Sequence, residues 1–329
     1  MSEHILTFYE SIIYNHILIK SIQERSLKNR FYDLNAYFRN IFGCRVQKIT
    51  VDAGFTCPNR DGAVSTGGCI YCNSRGSGTG AHAAGLSISQ QLIAGKAALS
   101  RRYKAEKFIA YFQSFSNTYA PVEKLKSLYD EALSVQNVAG LSIGTRPDCI
   151  NEPVLALLEN YAKDYLVWIE YGLQSANDET LLLINRGHDY KCFTNAVEAT
   201  KGRGIKICAH VILGLPGEEK KDMLETAEAI AGLGIDGVKI HLLYVVKSTK
   251  MEGLYLSGKY RCLEQDEYAG LVCDFLELLP EEMVIQRLTG DPHRDELVAP
   301  IWSLEKAKTI AIIKNTLEKR DSWQGKFAS

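Results

Sequence analysis

Residues 51–77 read VDAGFTCPNRDGAVSTGGCIYCNSRGS, and the interpretation of the whole chain starts from them. Cys57, Cys69 and Cys72 lie together in this short, glycine-rich stretch. Eleven residues separate the first two cysteines, and two separate the last pair. A Cys-x-x-Cys pair lets two thiolates reach one metal centre without unfolding the turn between them, so the stretch predicts a metal-binding loop.

The number of cysteines narrows the kind of metal centre. Soft thiolates select zinc or iron–sulfur clusters over hard cations. A structural zinc site is closed by four ligands, and a 4Fe–4S cluster usually has four cysteines. Three cysteine ligands would therefore leave one iron open to a substrate or cofactor. Two alternatives stay open at this point, namely a zinc site completed by His82 and three unrelated thiols.

The composition is that of a folded protein with little net charge. The chain has 329 residues, of which 46% are hydrophobic and 23% charged, and its formal net charge is −1. These values favour a sizeable core over disorder and give no overall signature of nucleic-acid or membrane binding. Nine cysteines without a secretory leader fit metal ligation in a reducing compartment. No apolar run approaches the ~20 residues that cross a bilayer, so we expect a cytoplasmic protein.

Residues 1–30 are predicted to form a helical extension, because the apolar residues of 5–22 recur with the spacing of an amphipathic helix. The overlapping segment 20–48 is locally basic, with Lys20, Arg25, Lys28, Arg30, Arg39, Arg45 and Lys48. Its interleaved aromatic residues are Phe31, Tyr32, Tyr37, Phe38 and Phe42. Such a set suits base stacking with phosphate contacts, although a solvated helix face with a buried aromatic side is more common.

From residue 48 onward, strand-like and helix-like segments alternate. The predicted strands span residues 48–52, 107–114, 140–146, 166–174, 205–213 and 237–245. The predicted helices span residues 87–103, 122–135, 152–162, 194–203 and 221–233. Regular alternation predicts an α/β protein with a parallel sheet, and six units are too few for an eight-stranded barrel. We expect a partial (β/α)6 TIM-like barrel over residues 31–246, with a doubly wound sheet as the alternative.

After residue 246 the alternation weakens. Residues 251–260, 264–279, 283–287 and 303–320 have the patterns of a helix, a helix, a strand and a helix. We expect residues 247–329 to form an appended C-terminal helix and strand segment that packs on the barrel.

Several predicted strands carry polar residues on one face. Alternate residues of a strand share a face, which groups Glu170 with Gln174 on the fourth strand and Lys239 with His241 on the sixth. Parallel strands are normally apolar on both faces, and charged groups there are costly unless they meet partners or a ligand. The set predicts a polar cavity inside the barrel, near the carboxyl ends of the strands. His210 alone is better explained as a satisfied core histidine.

Two turns after strands add to this pattern. Gly214-Leu-Pro-Gly217-Glu218 follows the fifth strand, and Asn117 follows the second. Backbone amides in such turns can hold the ribose, adenine or carboxylate of a cofactor, although a simple helix start is the plainer explanation.

Together these stretches resemble the radical S-adenosylmethionine (SAM) superfamily. The CPNRDG and GGC-x-x-C segments are similar to the cysteine loop of its uncharacterised YhcC-like group, and other motifs resemble the catalytic subunit of Elongator, a tRNA-modifying enzyme. The motifs are TRPD (145–148), GLQS (172–175), NRGH (185–188), HVILGLPGE (210–218), DGVKI (236–240) and GLYLSGKY (253–260). The resemblance covers about residues 30–302. The chain departs from the superfamily's commonest pattern, which has three residues between the first two cysteines, and from Elongator in lacking an acetyltransferase domain.

The resemblance implies a cofactor chemistry. Cys57, Cys69 and Cys72 would hold a 4Fe–4S cluster, and SAM would chelate the open iron through its amine and carboxylate. Reductive cleavage of SAM would give a 5′-deoxyadenosyl radical that abstracts hydrogen from the substrate. A reductase such as flavodoxin or ferredoxin would supply the electron.

The resemblance also implies a set of residues around SAM. They are Gln113, Ser114 and Asn117 near the methionyl amine, Glu170 and Gln174 near the ribose or carboxylate, Gly214 and Gly217 beside the adenine, and Arg146, Arg186 and Lys239 as cations for a carboxylate or phosphate. Arg287, Asp291 and Arg294 are candidates for the substrate side.

Three functions remain open from the sequence. The first is a radical SAM enzyme that modifies RNA, most simply tRNA. The second is a radical SAM oxidoreductase acting on a small molecule, because GLQS followed by NDET also resembles the oxygen-independent coproporphyrinogen dehydrogenases. The third is a zinc-stabilised RNA-binding protein without catalysis.

Overall fold

A computed structural model describes residues 30–76 and 78–328 of the chain. The predicted N-terminal amphipathic helix and the basic residues Lys20, Arg25 and Lys28 lie outside the described residues. Among the residues that are described, no helix is long and apolar enough to cross a membrane.

Seven parallel strands form one sheet in the spatial order β1-β2-β3-β4-β5-β6-β8. They are β1 (Val46–Val51), β2 (Lys107–Phe112), β3 (Val138–Thr145), β4 (Leu166–Gln174), β5 (Lys206–Leu213), β6 (Gly237–Leu242) and β8 (Val284–Arg287). The sheet is strongly curled. This is seen from a contact between its two edge strands, where the ammonium of Lys48 on β1 lies 2.6 Å from Oε1 of Gln286 on β8. The architecture is the expected partial TIM-like barrel.

Helices follow most strands and cover the outside of the curled sheet. They are α1 (Leu34–Phe42), α2 (Pro58–Asp61), α3 (Ile88–Tyr103), α4 (Val122–Ser134), α5 (Glu152–Ala162), α6 (Asp178–Leu183), α7 (Tyr190–Thr200), α8 (Lys220–Ala231), α9 (Lys250–Leu256), α10 (Gln265–Glu277) and α11 (Lys306–Lys319). Side-chain oxygens start several of them: Ser87 accepts from Gln90 N ahead of α3, and Asp189 accepts from Cys192 N ahead of α7. Leu92, Tyr129 and Phe193 then pack fully buried against the strands, each worth about 1.5–3 kcal/mol.

The C-terminal segment takes part in the barrel as well as packing on it. Its predicted strand, residues 283–287, is β8, which pairs in parallel with β6 and makes the sheet seven-stranded rather than six-stranded. A second, two-stranded antiparallel sheet joins β7 (Val245–Val246) to β9 (Leu297–Ala299). This small sheet lies directly after β6 and brings residues 287–296 to the carboxyl ends of the strands.

The aromatic residues of the 31–42 segment belong to the core, which corrects the base-stacking interpretation of this part of the chain. Helix α1 closes the amino-terminal end of the barrel, where Tyr37 meets Trp168 with ring centroids 5.4 Å apart. Phe31, Tyr32 and Phe38 are buried. A local pattern of aromatic and basic residues cannot distinguish these two uses, because the burial depends on strands elsewhere in the chain, such as β2 with Ile109 and β4 with Trp168.

Candidate active site

The cysteine loop leaves the carboxyl end of β1 and is held by backbone hydrogen bonds. Cys57 directly precedes α2, whose first residue is Pro58, and Gly68 N–H donates to Asn59 O at 2.8 Å. Ile70 N–H donates to Ile184 O at 3.0 Å, and Met251 N–H donates to Ile70 O at 3.1 Å. The loop is therefore fixed between α6 and α9, which brings its cysteines over the end of the sheet.

All three cysteines line one cavity of about 170 Å³, which we call the cysteine cavity. Its other walls come from the ends of β2, β3, β4 and β5 and from the NRGH motif. Five further residues expected around SAM line it, namely Gln113, Arg146, Glu170, Gln174 and Arg186. Ser114, Asn117, Gly214, Gly217 and Lys239 do not line it.

The NRGH motif is hydrogen-bonded to the cysteine loop. Asn59 is fully buried, and its Nδ2 donates to Asn185 O at 2.6 Å. Asn185 Nδ2 in turn donates to Gly68 O at 2.8 Å. Gly187 has φ +77, and a Cβ added there would lie 2.5 Å from Asn59 Oδ1. Only glycine fits this position, because the backbone is left-handed and the two motifs approach so closely.

Two guanidinium groups lie beside the sulfur atoms. Arg186 NH1 is 3.7 Å from Cys69 Sγ, and Arg60 NH1 is 3.6 Å from Cys72 Sγ. Burial and the neighbouring Cys69 raise the pKa of Cys72 to about 11, and Arg60 only partly offsets this. Without metal the thiol keeps its proton, so metal binding must release it.

The donor set at the cysteine cavity fits a multi-iron cluster. In a cubane cluster each cysteine binds a different iron, so three thiols around one cavity are the matching donor set. His82, the fourth ligand of the zinc alternative, lies against Gly54 and does not line the cysteine cavity.

Arg146, from the TRPD motif, is committed to other protein groups. Its Nε and NH2 donate to both oxygens of Asp148 at 2.7 and 2.6 Å, and its NH1 donates to Arg186 O at 2.8 Å. The bidentate pair orients Arg146, and the bond from its NH1 to Arg186 O holds the NRGH motif in place. The structure therefore gives Arg146 a supporting contact to Arg186, and Arg186 is the cation next to sulfur.

Glu170 is the centre of an ion-pair network inside the barrel. It is fully buried, and its Oε1 accepts from Lys48 Nζ at 2.6 Å and from Ser142 Oγ. Its Oε2 accepts from Lys239 Nζ and lies 2.7 Å from His210 Nε2. The predicted polar face is real, but this carboxylate already has four partners from four other strands.

The network leaves an excess of positive charge. Burial would raise the pKa of Glu170, but Lys239 and Lys48 outweigh it and hold that pKa well below its usual range. Burial lowers the pKa of His210 to about 4, so this imidazole is neutral and donates from Nε2 to the carboxylate. Burial, with Lys48 and Arg287 nearby, also lowers the pKa of Lys239 to about 7.

The two predicted SAM-binding turns have mainly protein partners. Gly214 has φ +87, and its carbonyl accepts from Tyr260 Oη at 2.7 Å, which joins the HVILGLPGE and GLYLSGKY motifs. Asn117 Nδ2 donates to Gly144 O at 2.7 Å, whereas its buried Oδ1 and Ser114 Oγ have no partner among the described residues. Neither residue lines the cysteine cavity or the larger cavity described below.

Glu218, which ends the HVILGLPGE motif, is a buried carboxyl of a different kind. Ser175 Oγ, from the GLQS motif, donates to its Oε1. Burial raises the pKa of Glu218 to about 7, because no described cation pairs with it. Sequence reasoning recognised both motifs but not the hydrogen bond that joins them.

A larger cavity of about 580 Å³ lies beside the first, and we call it the chamber. Its floor includes His210, His241 and Arg287 from the ends of β5, β6 and β8. It shares six lining residues with the cysteine cavity, namely Tyr71, Cys72, Gly76, Gln113, Gln174 and His210. A molecule in the chamber would therefore lie next to one bound at the cysteines.

The segment after β8 forms one wall of the chamber. Glu296 accepts from Asn73 Nδ2 and Arg75 NH1, both at 2.9 Å, and so ties this segment to the cysteine loop. Of the residues expected on the substrate side, Arg287 and Asp291 line the chamber, whereas Arg294 is exposed and lines neither cavity.

Sequence reasoning missed Lys48, Asn59 and Arg60 as parts of the site. Lys48 belongs to the basic segment of the sequence. It also alternates with Thr50, which places both side chains on one face of β1. Asn59 and Arg60 lie inside the quoted cysteine loop, but no local signal says which sulfur or backbone atom they contact.

Comparison with known proteins agrees with this geometry. Residues 60–230 match the Radical SAM superfamily, and residues 235–319 match the Radical_SAM C-terminal domain. The uncharacterized protein YtqA of Bacillus subtilis is 43% identical over 300 residues, covering 91% of this chain and 93% of that protein. Protein YhcC of Escherichia coli is 40% identical over 262 residues, covering 79% of this chain and 84% of that protein.

Among solved structures, the archaeal Methanocaldococcus infernus Elp3 has a similar fold, with a TM-score of 0.66 at 17% identity. That likeness covers 85% of this chain and 64% of the Elp3 chain, so about a third of the Elp3 chain has no counterpart in it. The chain belongs to the radical SAM superfamily, whose enzymes use a 4Fe–4S cluster and SAM.

Proposed function

We propose that this protein holds a 4Fe–4S cluster through Cys57, Cys69 and Cys72 and abstracts a hydrogen atom from a nucleotide of tRNA. The observation that carries the proposal is the wall shared by the cysteine cavity and the chamber, which includes Cys72, Gln113 and Gln174. A substrate in the chamber would be within reach of SAM bound beside the cysteines. When bound, the cluster and SAM would supply radical hydrogen abstraction at this place, with the electron coming from an external reductase.

The chain's own residues bind and orient. The backbone bonds of Gly68 and Ile70 hold the cysteine loop over the end of the sheet. Arg186 and Arg60 place guanidinium groups 3.7 and 3.6 Å from the sulfur atoms of Cys69 and Cys72. Gln113 and Gln174 offer amide groups between the two cavities, where a cofactor's polar groups would need hydrogen bonds.

The choice of tRNA is supported by the motifs shared with the catalytic subunit of Elongator and by the fold likeness to archaeal Elp3. Two cations of the basic segment are engaged within the protein, since Lys48 is inside the barrel and Arg30 pairs with Asp321 at 3.1 Å. Arg39 is exposed, but it lies on α1 at the amino-terminal end of the barrel. Any RNA would have to approach at the carboxyl ends of the strands, where the chamber opens.

A free small molecule is the second candidate substrate, and the size of the chamber favours it. A volume of about 580 Å³ is within the range of about 300–1,000 Å³ that is usual for small-molecule pockets. Either substrate class uses the same cofactor chemistry, so only the substrate distinguishes the two.

Mass spectrometry of total nucleosides from a deletion strain separates the two candidates. If tRNA is the substrate, one modified nucleoside disappears and returns with the wild-type gene but not with Cys69→Ala. An unchanged nucleoside profile in the deletion strain, while the purified wild-type enzyme cleaves SAM, contradicts the tRNA assignment and favours the small molecule.

The shared cofactor chemistry is tested with purified protein. Reduced, anaerobically reconstituted enzyme is expected to release 5′-deoxyadenosine and methionine. If protein with a verified cluster makes no 5′-deoxyadenosine under strong reduction, with tRNA or without it, the proposal fails.

A further inference from the structure

The chamber contains a cation that the protein itself leaves unpaired. Arg287, the last residue of β8, is half-buried and lines the chamber. Among the described residues, its guanidinium has no hydrogen bond and no ion pair. The two buried arginines of the site differ, since Arg146 donates to Asp148 and Arg186 donates to Gly172 O at 2.6 Å. Desolvation of a half-buried guanidinium without partners costs free energy, and a bound anion would offset that cost.

The carboxylates that line the chamber, Asp291 and Glu296, and the neighbouring Glu170 are already engaged. Glu296 accepts from Asn73 and Arg75. Asp291 lies 3.3 Å from Lys306 Nζ and is largely exposed. Glu170 is saturated by its own network, which carries two lysines for one carboxylate. No described acidic group is left to neutralise Arg287, so the chamber floor has a net positive charge.

His241, next to Arg287 on the floor, has an unused nitrogen. Its Nε2 is buried and has no hydrogen-bond partner among the described residues. Its ring lies 5.2 Å from that of His210, centroid to centroid. Burial, together with Arg287 and His210, lowers the pKa of His241 well below its usual value, so the ring is neutral. A neutral imidazole can donate one hydrogen bond to a ligand without adding charge.

We propose that the chamber binds an anionic group of the substrate, a carboxylate or a phosphate, through the guanidinium of Arg287 with His241 as a hydrogen-bond partner. Arginine suits this role because its planar fork matches the two oxygens of either group. The assignment rests on the proposed function, since it describes the substrate of that same site. An anion anchored on β8 would hold the rest of the substrate toward the wall shared with the cysteine cavity.

Anion binding can be measured without turnover. Inorganic pyrophosphate is the probe, titrated calorimetrically and anaerobically into reconstituted protein saturated with SAM. We expect Arg287→Met to raise the dissociation constant about 10- to 100-fold, the usual loss for a charge-assisted contact. Arg287→Lys keeps the charge, and its dissociation constant is expected to lie between those of the wild type and Arg287→Met. Arg294→Met, an arginine on the same segment outside both cavities, is the matched control and should bind like wild type.

Several outcomes would overturn the proposal. They are absence of pyrophosphate binding to the SAM-saturated wild type, equal binding by Arg287→Met and wild type, and, in a parallel titration, binding only when SAM is left out, which would assign Arg287 to the cofactor. If Arg287→Met does not fold, Arg287→Lys and a His241→Phe variant provide the same comparison. SAM cleavage is assayed separately, so failure of the anion site and failure of the cofactor chemistry give different results.

Two further titrations distinguish the sources of the anion. Competition of pyrophosphate by unfractionated tRNA, weakened in Arg287→Met, identifies an RNA phosphate. Competition by citrate but not by tRNA, again weakened in the variant, identifies a free small anion.

Discussion

The two cavities at the mouth of the barrel hold their arginines differently. Beside the cysteine cavity, Arg146 is bound to Asp148 and Arg186 donates to Gly172 O, although Arg186 Nε has no partner in the described chain. In the chamber, the guanidinium of Arg287 and the Nε2 of His241 have no partner among the described residues. Internal bonds fix the cations beside the cysteines, whereas the cation of the chamber is left for a ligand.

The largest expected effect tests the cysteine side. Cys57→Ala, Cys69→Ala and Cys72→Ala should each lose most iron and sulfide after anaerobic reconstitution, because each removes one ligand of the cluster. Iron and sulfide assays on purified protein measure this. Cys44→Ala is the control, since that half-buried thiol lies before β1 at the other end of the sheet. Full iron retention in Cys57→Ala would contradict the widely spaced ligand set.

The next effect concerns the ion-pair network that lies between the two cavities. Glu170→Gln leaves Lys48 and Lys239 without a buried counter-charge, so we expect a loss of about 3–5 kcal/mol in the free energy of unfolding at neutral pH. Urea denaturation measures it. Glu228→Gln, at an exposed position on α8, should change stability by less than about 0.5 kcal/mol.

The pH dependence of the Glu170 contribution has a definite sign. The folded-state pKa of Glu170 is lowered, so its stabilisation is present above the ordinary carboxyl pKa and is lost only as the pH falls through the lower folded-state value. A difference between wild type and Glu170→Gln that vanished already at neutral pH would contradict an ionised Glu170.

A matched pair of glycines tests the contact beneath the cysteine loop. Gly187 and Gly202 both have φ +77, but only at Gly187 does an added Cβ meet another group, Asn59 Oδ1 at 2.5 Å. Both alanine variants should lose about 1–2 kcal/mol in the free energy of unfolding, because alanine disfavours the left-handed backbone. Gly187→Ala should cost about 1–3 kcal/mol more and retain less iron. Equal thermal unfolding of the two variants would mean that Asn59 moves aside freely.

The smallest effect concerns Glu218. Its folded-state pKa is raised to about 7, so between the ordinary carboxyl pKa and pH 7 the folded state binds more protons than the unfolded state. Stability from this group is therefore lost as the pH rises through 7, by on the order of 1–2 kcal/mol. Glu218→Gln should flatten the change between pH 5 and pH 8 in denaturant titrations. A wild-type protein that is no less stable at pH 8 than Glu218→Gln would contradict the shift.

The fold and the cysteine loop were predictable from the sequence because their signals are local. Strand and helix periodicity located β1 to β6, and the spacing of Cys69 and Cys72 is visible in four residues. The seventh strand was assigned to the appended segment, because its pairing with β6 depends on contacts across two intervening helices.

The roles of individual site residues were less predictable, because they depend on distant strands. Glu170 was expected near SAM, and it lines the cysteine cavity, but its partners Lys48 and Lys239 lie 122 and 69 residues away in sequence. Nothing in the local pattern around a buried glutamate says how many cations the fold will bring to it.

The backbone bonds of the cysteine loop have a consequence for substitutions far from the cysteines. Ile70 is held by Ile184, at the end of α6, and by Met251 of α9, and Gly68 is held by Asn59. A loop tied to two helices follows their displacement, so a substitution that repacks α6 or α9 would move the sulfur atoms without touching them. Loss of iron in a variant therefore reports on the supports of the loop as well as on its ligands.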